Sequence, residues 1–170
     1  MFRILDRNSV WFIALILFPI FVSALPSDDK LPMQITAESS EFNYKTGVTT
    51  YEGNVKVDQG TTHLTADRIV TRRNKHHKIE EAIAYGIHRP AIYSSLMKVG
   101  DPPLRAEAKI IKFYPLKSNV ILEGNVKAAQ GENSFHGPVI IYNMKDQTVT
   151  APPSKTGHAT MLIEAKDLNS

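Results

Sequence analysis

The sequence predicts an all-β domain of stacked antiparallel strands, in the form of a sandwich, roll or barrel. Three observations carry that prediction. The segment Glu52-Gly53-Asn54-Val55-Lys56-Val57-Asp58-Gln59-Gly60 returns 71 residues later as Glu123-Gly124-Asn125-Val126-Lys127-Ala128-Ala129-Gln130-Gly131, identical at seven of nine positions, which marks a duplicated supersecondary unit. From Met33 onward, apolar and polar residues alternate with period two: Val55/Val57 and Leu64/Ala66 share one face, while Lys56, Asp58 and Thr65 face away. Turn formers recur about every 8–12 residues between β-branched runs, the spacing expected of short strands in a two-layer β architecture.

Residues 1–24 read as a signal peptide. Arg3 and Arg7 precede an apolar run from Val10 to Val22, and Val22-Ser23-Ala24 offers small residues for cleavage. The competing reading is a membrane anchor, but the run falls short of the ~20 residues a bilayer span needs, and Pro19 interrupts it. Residues 25–32 read as a leader, because Pro26, Asp28, Asp29 and Pro32 disfavour packed structure. Residues 33–165 form the β domain and 166–170 a polar tail.

Within the domain, each repeat runs from an apolar stretch (Val48 to Tyr51; Val120 to Leu122) through a Gly-Asn step into a second run. A Gln-Gly turn and another alternating segment follow, 63–71 or 134–142. The alignment pairs Phe42 with Phe113, Leu64 with Phe135 and Ile69 with Ile140. Gly53-Asn54 and Gly124-Asn125 read as turns. Residues 79–85 and 104–112 carry some helical spacing, but each lies between turn signals without an N-cap and reads as a strand. Pro152-Pro153 closes the second repeat, and 158–163 supply one more strand. Both Met33 to Thr36 and Met161 to Ile163 are apolar and short of charge, so neither caps the open end of a stack.

The chain has no cysteine, so neither a disulfide scaffold nor thiolate chemistry is available. An exported, cysteine-free chain points to a bacterial periplasm or exterior. The net charge is +3, and removing Arg3, Arg7 and Asp6 with the signal lowers it to +2. So mild a balance argues against nucleic acid as a partner. The one basic cluster, Arg72, Arg73, Lys75 and Lys78 with His76 and His77 among them, reads as a solvated hairpin loop or as a surface that attracts phosphate groups. No nucleophile elbow, zinc-protease pair, phosphate loop or dinucleotide fingerprint is present, so neither a catalytic residue, a metal site nor a cofactor is assigned.

What remains is an interior. Met33, Ile35, Phe42, Val55, Val57, Leu64, Tyr93, Phe113, Leu122, Phe135 and Ile140 alternate as bulky inward positions. They make either an ordinary filled core or the lining of a partly open space between sheets ~10 Å apart, and periodicity does not distinguish the two.

The order of motifs resembles one family: Pro32-Met33-Gln34-Ile35, then Gly53-Asn54-Val55 through Gln59-Gly60, Ala66-Asp67-Arg68-Ile69-Val70, and Tyr85-Gly86 with Pro90-Ala91, before the second Gly-Asn-Val. It is the lipopolysaccharide transport periplasmic protein family of Gram-negative bacteria, with its OstA-like domain. The resemblance implies a twisted β-jellyroll whose groove carries the acyl chains of lipid A, with no enzymatic step. It also implies head-to-tail homo-oligomers that bridge an inner-membrane anchored protein of the same fold and the N-terminal domain of an outer-membrane translocon. On the resemblance, Met33, Ile35, Tyr93 and Phe113 line the groove, and Pro115 stands where the family offers an aliphatic residue. The wider set above completes the expected lining, and Arg72, Arg73, Lys75 and Lys78 form a head-group rim. Two rival readings keep much of this fold: an inner-membrane-anchored relative of the same pathway, and a structural or adhesive β-protein with a filled core.

Overall fold

The computed structural model describes residues 28–146, 148–155 and 157–164. The expected signal peptide and C-terminal tail lie outside the described residues. Twelve antiparallel strands follow in order: β1 (Gln34–Thr36), β2 (Ser39–Asn43), β3 (Val48–Gln59), β4 (Thr62–Arg73), β5 (Ile79–Tyr85), β6 (Ala91–Ser95), β7 (Leu104–Ala108), β8 (Ile110–Tyr114), β9 (Asn119–Gln130), β10 (Asn133–Asn143), β11 (Thr148–Thr150) and β12 (Thr160–Leu162). The repeat is structural as well as sequential. Shifting β2 and β3 by 71 residues gives the bounds of β8 and β9, and the same shift superposes β1 on β7 and β4 on β10.

Each long strand is bent, and the bend divides the molecule into two sheets. The ladder between β3 and β4 slips between Glu52 and Val55, and that between β9 and β10 slips between Gly137 and Val139. The Gly-Asn steps expected as turns are therefore bulges inside single 12-residue strands. Gly53 and Asn54 take φ of +79° and +47°, and Gly124 and Asn125 take +81° and +52°. Two successive left-handed residues re-aim a strand without breaking it, and glycine and asparagine are the residues that accept this conformation most readily.

One sheet contains β1, the second half of β3, the first half of β4, β6, β7, the second half of β9, the first half of β10, and β12. The other contains β2, the remaining halves of β3, β4, β9 and β10, and β5, β8 and β11. This is the β-jellyroll of stacked antiparallel strands that the sequence resemblance implies. Residues 79–85 form one strand, but 104–112 do not: the chain turns a corner at Lys109, between β7 and β8. Its amide donates to the Gly124 carbonyl at 3.0 Å, as the Glu38 amide at the equivalent first-repeat corner donates to that of Gly53 at 3.1 Å.

Part of the expected leader is structured. Asp28–Lys30 makes a single 3-10 turn, and the Asp28 carboxylate accepts hydrogen bonds from the Thr61 amide (3.1 Å) and the Thr61 and Thr62 hydroxyls (2.8 and 2.7 Å). Gln59 donates to the Leu31 carbonyl at 2.9 Å, and its repeat equivalent Gln130 donates to Pro102 at 3.2 Å. Prolines and acidic residues pointed away from packing here. What they did not reveal is that a hairpin turn leaves its donors unfilled, and an Asp just upstream fills them.

Candidate functional site

The interior between the sheets is closed on one side and open on the other. Beside the bulges, Val55, Ala66, Ala91, Ala108 and Val126 face Ile69, Ala84, Ile111, Leu122 and Ile140, and all are buried. This is the apex where the sheets join. One step away from it, a continuous cross-strand row traverses the first sheet: Ile35, Val57, Leu64, Tyr93, Ala106, Ala128, Phe135, Met161. Most of this row is half-buried, and Met161 at its end is 62 % exposed. The matching row of the second sheet is Phe42, Thr49, Thr71, Ala82, Phe113, Val120, Tyr142, Val149. Here Phe42 and Phe113 are 39 % and 37 % exposed although they point inward with their buried neighbour Thr49. A filled core would bury these rings.

The eleven predicted lining residues therefore fall into groups. Val55, Leu122 and Ile140 belong to the sealed apex, where side chains already occupy the space. Ile35, Phe42, Val57, Leu64, Tyr93, Phe113 and Phe135 lie on the two half-open rows. Met33, 49 % exposed, precedes β1 at the N-terminal tip. Of Ala128-Ala129, only Ala128 faces inward; Ala129 lies opposite Arg105 on the outer surface. Pro115 opens a 3-10 turn (Pro115–Lys117) that ends β8. The small side chains Ala82, Ala106 and Ala128 take up the least space in the middle of the two rows.

Sequence reasoning missed how the apex is held. Asp67, from Ala-Asp-Arg-Ile-Val, accepts the amides of Ile87 and His88 at 2.7 and 2.6 Å. These hydrogen bonds, that of His88 above all, hold its carboxyl below the usual range. Arg89, in the same loop, donates to Asn54 at the bulge (2.6 Å), and Asn54 donates to Glu38 at the first corner. A Cβ at Gly86 would collide with the backbone of Arg89 and Ala91. Three of the motifs that carried the resemblance, around Gly53-Asn54, Asp67 and Gly86, thus meet at one corner and fix the fold's hinge.

The basic cluster is the tip of the β4–β5 hairpin. Lys75, His76, His77 and Lys78 are exposed, and the Asn74 side chain caps the turn by accepting the amides of His76 and Lys78. Arg72 is engaged on the outer face by Glu80 (3.3 Å) and Glu81 (3.2 Å). Arg73 turns the other way: its guanidinium lies 6.0 Å from the Phe42 ring centroid, at the mouth of the interior. An open pocket of about 260 Å³ is bounded there by Ser40, Phe42, Thr49, Tyr51 and Arg73. A second, of about 320 Å³, lies between β1 and β2.

Residues 34–148 match the family described as LptA/(LptD N-terminal domain) LPS transport protein. The chain belongs to that family. Among LPS transport proteins of this kind, the Pseudomonas aeruginosa lipopolysaccharide export system protein LptH is 33 % identical over 128 residues, covering 75 % of this chain and 72 % of that one. The Escherichia coli K12 export protein LptA is 27 % identical over 164 residues, covering 96 % and 88 %. The crystal structure of Pseudomonas aeruginosa LptH, described as the LptA-homologous periplasmic component of a lipopolysaccharide transport device, superposes with a TM-score of 0.72 at 30 % identity. It covers 82 % of this chain and 99 % of its own.

Proposed function

We propose that this chain is a non-enzymatic periplasmic carrier of lipopolysaccharide, holding lipid A acyl chains between its sheets and passing them along a bridge between the membranes. The observation that carries the reading is the pair of half-open inner rows, apolar along most of their length and running from tip to tip beside a sealed apex. The family membership supports the same role. Moving one acyl chain of about a dozen methylenes through water costs on the order of 10 kcal/mol at ~0.8 kcal/mol per methylene. A continuous apolar row avoids that cost, while sugars and phosphates stay at the open side, near Arg73 and the exposed Lys75 and Lys78.

Strand edges support the bridge. Among the described residues, β1 and β2 at the N-terminal tip pair only with β3, and β11 and β12 at the C-terminal tip pair only with β10. Such edges accept further strands. A second copy fits them head to tail, as do an inner-membrane anchored protein of the same fold at one end and the N-terminal domain of an outer-membrane translocon at the other. The heterologous contact propagates instead of closing. Photo-crosslinkers at Tyr93 and Phe113 should trap lipopolysaccharide in living cells, whereas one at Ala129, on the outer face, should not. Absence of lipid adducts at both inner positions would return the chain to the filled-core reading.

A further inference from the structure

The duplication allows each inner position to be compared with its own twin, and the two halves of the groove differ. At the apex two twin pairs match in character, Val55 with Val126 and Ile69 with Ile140, whereas the apex residues Ile111 and Leu122 have the polar twins Ser40 and Tyr51. Phe42 and Phe113 also match. Around Phe42, however, the second sheet's inner face carries Ser40, Thr49, Tyr51 and Arg73, and the twins around Phe113 are Ile111, Val120, Leu122 and Met144. Every one of these four exchanges a polar group for an apolar one. Thr71, opposite Thr49 across the β3–β4 ladder, adds a further hydroxyl.

These are not surface accidents. Thr49 and Thr71 are each only 7 % exposed, in a row whose purpose elsewhere is apolar contact. Directly opposed residues share a face, so their hydroxyls and the Arg73 guanidinium belong to one patch. Arg73 makes no ion pair among the described residues, in contrast to Arg72 beside it, and it borders the pocket lined by Ser40, Phe42, Thr49 and Tyr51. A guanidinium and hydroxyls beside an exposed aromatic ring present donors suited to a phosphate together with an apolar surface for the hydrocarbon next to it.

Resting on the groove reading above, we propose that the N-terminal half of the groove is a phosphate-recognising subsite built by Arg73, Thr49 and Thr71 beside Phe42. The C-terminal half, where Tyr142 (the twin of Thr71) carries the one hydroxyl among these inner positions, binds hydrocarbon. The ligand class is an amphiphile whose phosphate adjoins its alkyl chain, and the asymmetry gives the bound lipid a fixed direction along the protein.

The second repeat itself supplies the test, because its residues already fit this fold at the twin positions. Full-length mature protein and its Arg73→Met and Thr49→Val/Arg73→Met variants are titrated with dodecyl phosphate, dodecanol and inorganic phosphate, and binding is followed by displacement of a fluorescent fatty acid. The native protein should prefer dodecyl phosphate to dodecanol by about tenfold, the scale of one charge-assisted hydrogen bond, and both variants should lose that preference while still binding dodecanol. Equal binding of the two amphiphiles by the native protein, or a preference that survives in both variants, overturns the subsite but leaves the groove standing. Inorganic phosphate competing as well as dodecyl phosphate overturns the amphiphile assignment. If neither amphiphile displaces the probe from the native protein, the groove reading fails, and the subsite with it. Arg73→Met alone alters an exposed side chain, so the comparison holds even where the double variant is unstable.

Discussion

Tyr93 stands directly opposite Ala106 where β6 meets β7, and this pair marks the seam between the two repeats. On the other sheet the seam is the pair Ala82–Phe113, between β5 and β8. The first repeat thus presents β5 and β6, and the second receives them with β8 and β7. Across the chain's own tips the same edges recur. Val149 of β11 takes the place of Ala82 against the long strand, and Met161 of β12 takes that of Tyr93. Phe42 of β2 and Ile35 of β1 are the twins of Phe113 and Ala106. For the proposed head-to-tail bridge, the internal seam therefore predicts a register: Met161 opposite Ile35, and Val149 opposite Phe42.

That register is directly checkable, because the native chain contains no cysteine. Directly opposed strand residues have Cβ atoms about 4.5–5.5 Å apart, within reach of a disulfide after small adjustment. Mixing Met161→Cys with Ile35→Cys, or Val149→Cys with Phe42→Cys, should give crosslinked dimers under mild oxidation. Mixing Met161→Cys with Phe42→Cys joins positions on different sheets and should give none. Equal yields from matched and mismatched pairs would remove the seam as the template for docking.

The bulges make a second prediction. Gly53 and Gly124 are left-handed, and a Cβ would strike the Glu38 side chain at the first and the Lys109 Cβ, at 2.8 Å, at the second. The left-handed conformation alone costs a residue with a side chain roughly 1–2 kcal/mol. Gly53→Ala and Gly124→Ala should each lower unfolding free energy by at least that amount in urea titrations. Both collisions include the Cβ that anchors the struck side chain, Glu38 at 2.7 Å and Lys109 at 2.8 Å, so neither is relieved by a rotamer change alone. Wild-type stability in both would show that the bulges do not set the hinge.

Much of this was legible in the chain. The nine-residue echo around Gly53 and Gly124 announced the duplication, and period-two alternation placed Val57, Leu64 and Phe135 on an inner face. The difference between Val55 and Val57 was not legible. Both alternate inward, yet one lies at the apex and the other a step toward the opening, and only the position of the bend separates them. Gly-Asn reads as a turn because the same backbone conformations serve hairpins and bulges, and the choice between them is made by the ladder on either side. Asp28 escaped notice for a related reason: its partners Thr61 and Thr62 lie more than thirty residues away.

The Asp67 clasp predicts how stability responds to acid. Hydrogen bonds from the amides of His88 and Ile87 favour its charged form and lower its pKa in the folded protein, and those from Thr62 and Thr61 do the same for Asp28. A depressed carboxyl contributes stability that is fully present above its unfolded pKa of 3.8 and is lost as pH falls through the lower folded value. Asp67→Asn should therefore lower the melting temperature at neutral pH, and the gap to the native protein should close as the pH drops below 3.8. Lys112 acts in the opposite direction. Its hydrogen bond to Glu123, at 2.7 Å, raises its pKa, so that contribution persists below 10.5 and is lost as pH rises through the folded value. A gap between native protein and Asp67→Asn that stays constant from neutral to strongly acid pH would show that the clasp contributes nothing through charge.

Phe113 and Leu122 separate a groove from a core most sharply. They sit on adjacent strands of the same sheet, and Phe113 is opposite Val120, two residues along β9 from Leu122. Yet Phe113 is 37 % exposed and Leu122 only 6 %. A carboxylate at Leu122 has neither water nor a partner, and a buried unpaired charge costs several kcal/mol even after its pKa adjusts. Leu122→Asp should therefore unfold the domain, with loss of the β circular-dichroism signal at 25 °C. A carboxylate at Phe113 reaches solvent through the open side, so Phe113→Asp should keep the β signal and lose most lipid binding, because the charge lies where hydrocarbon would pass. If Phe113→Asp unfolds the protein as thoroughly as Leu122→Asp, the second row is a packed core in solution and the space between the sheets is closed. If it folds and still loads lipopolysaccharide at the native level, the lipid travels by another surface.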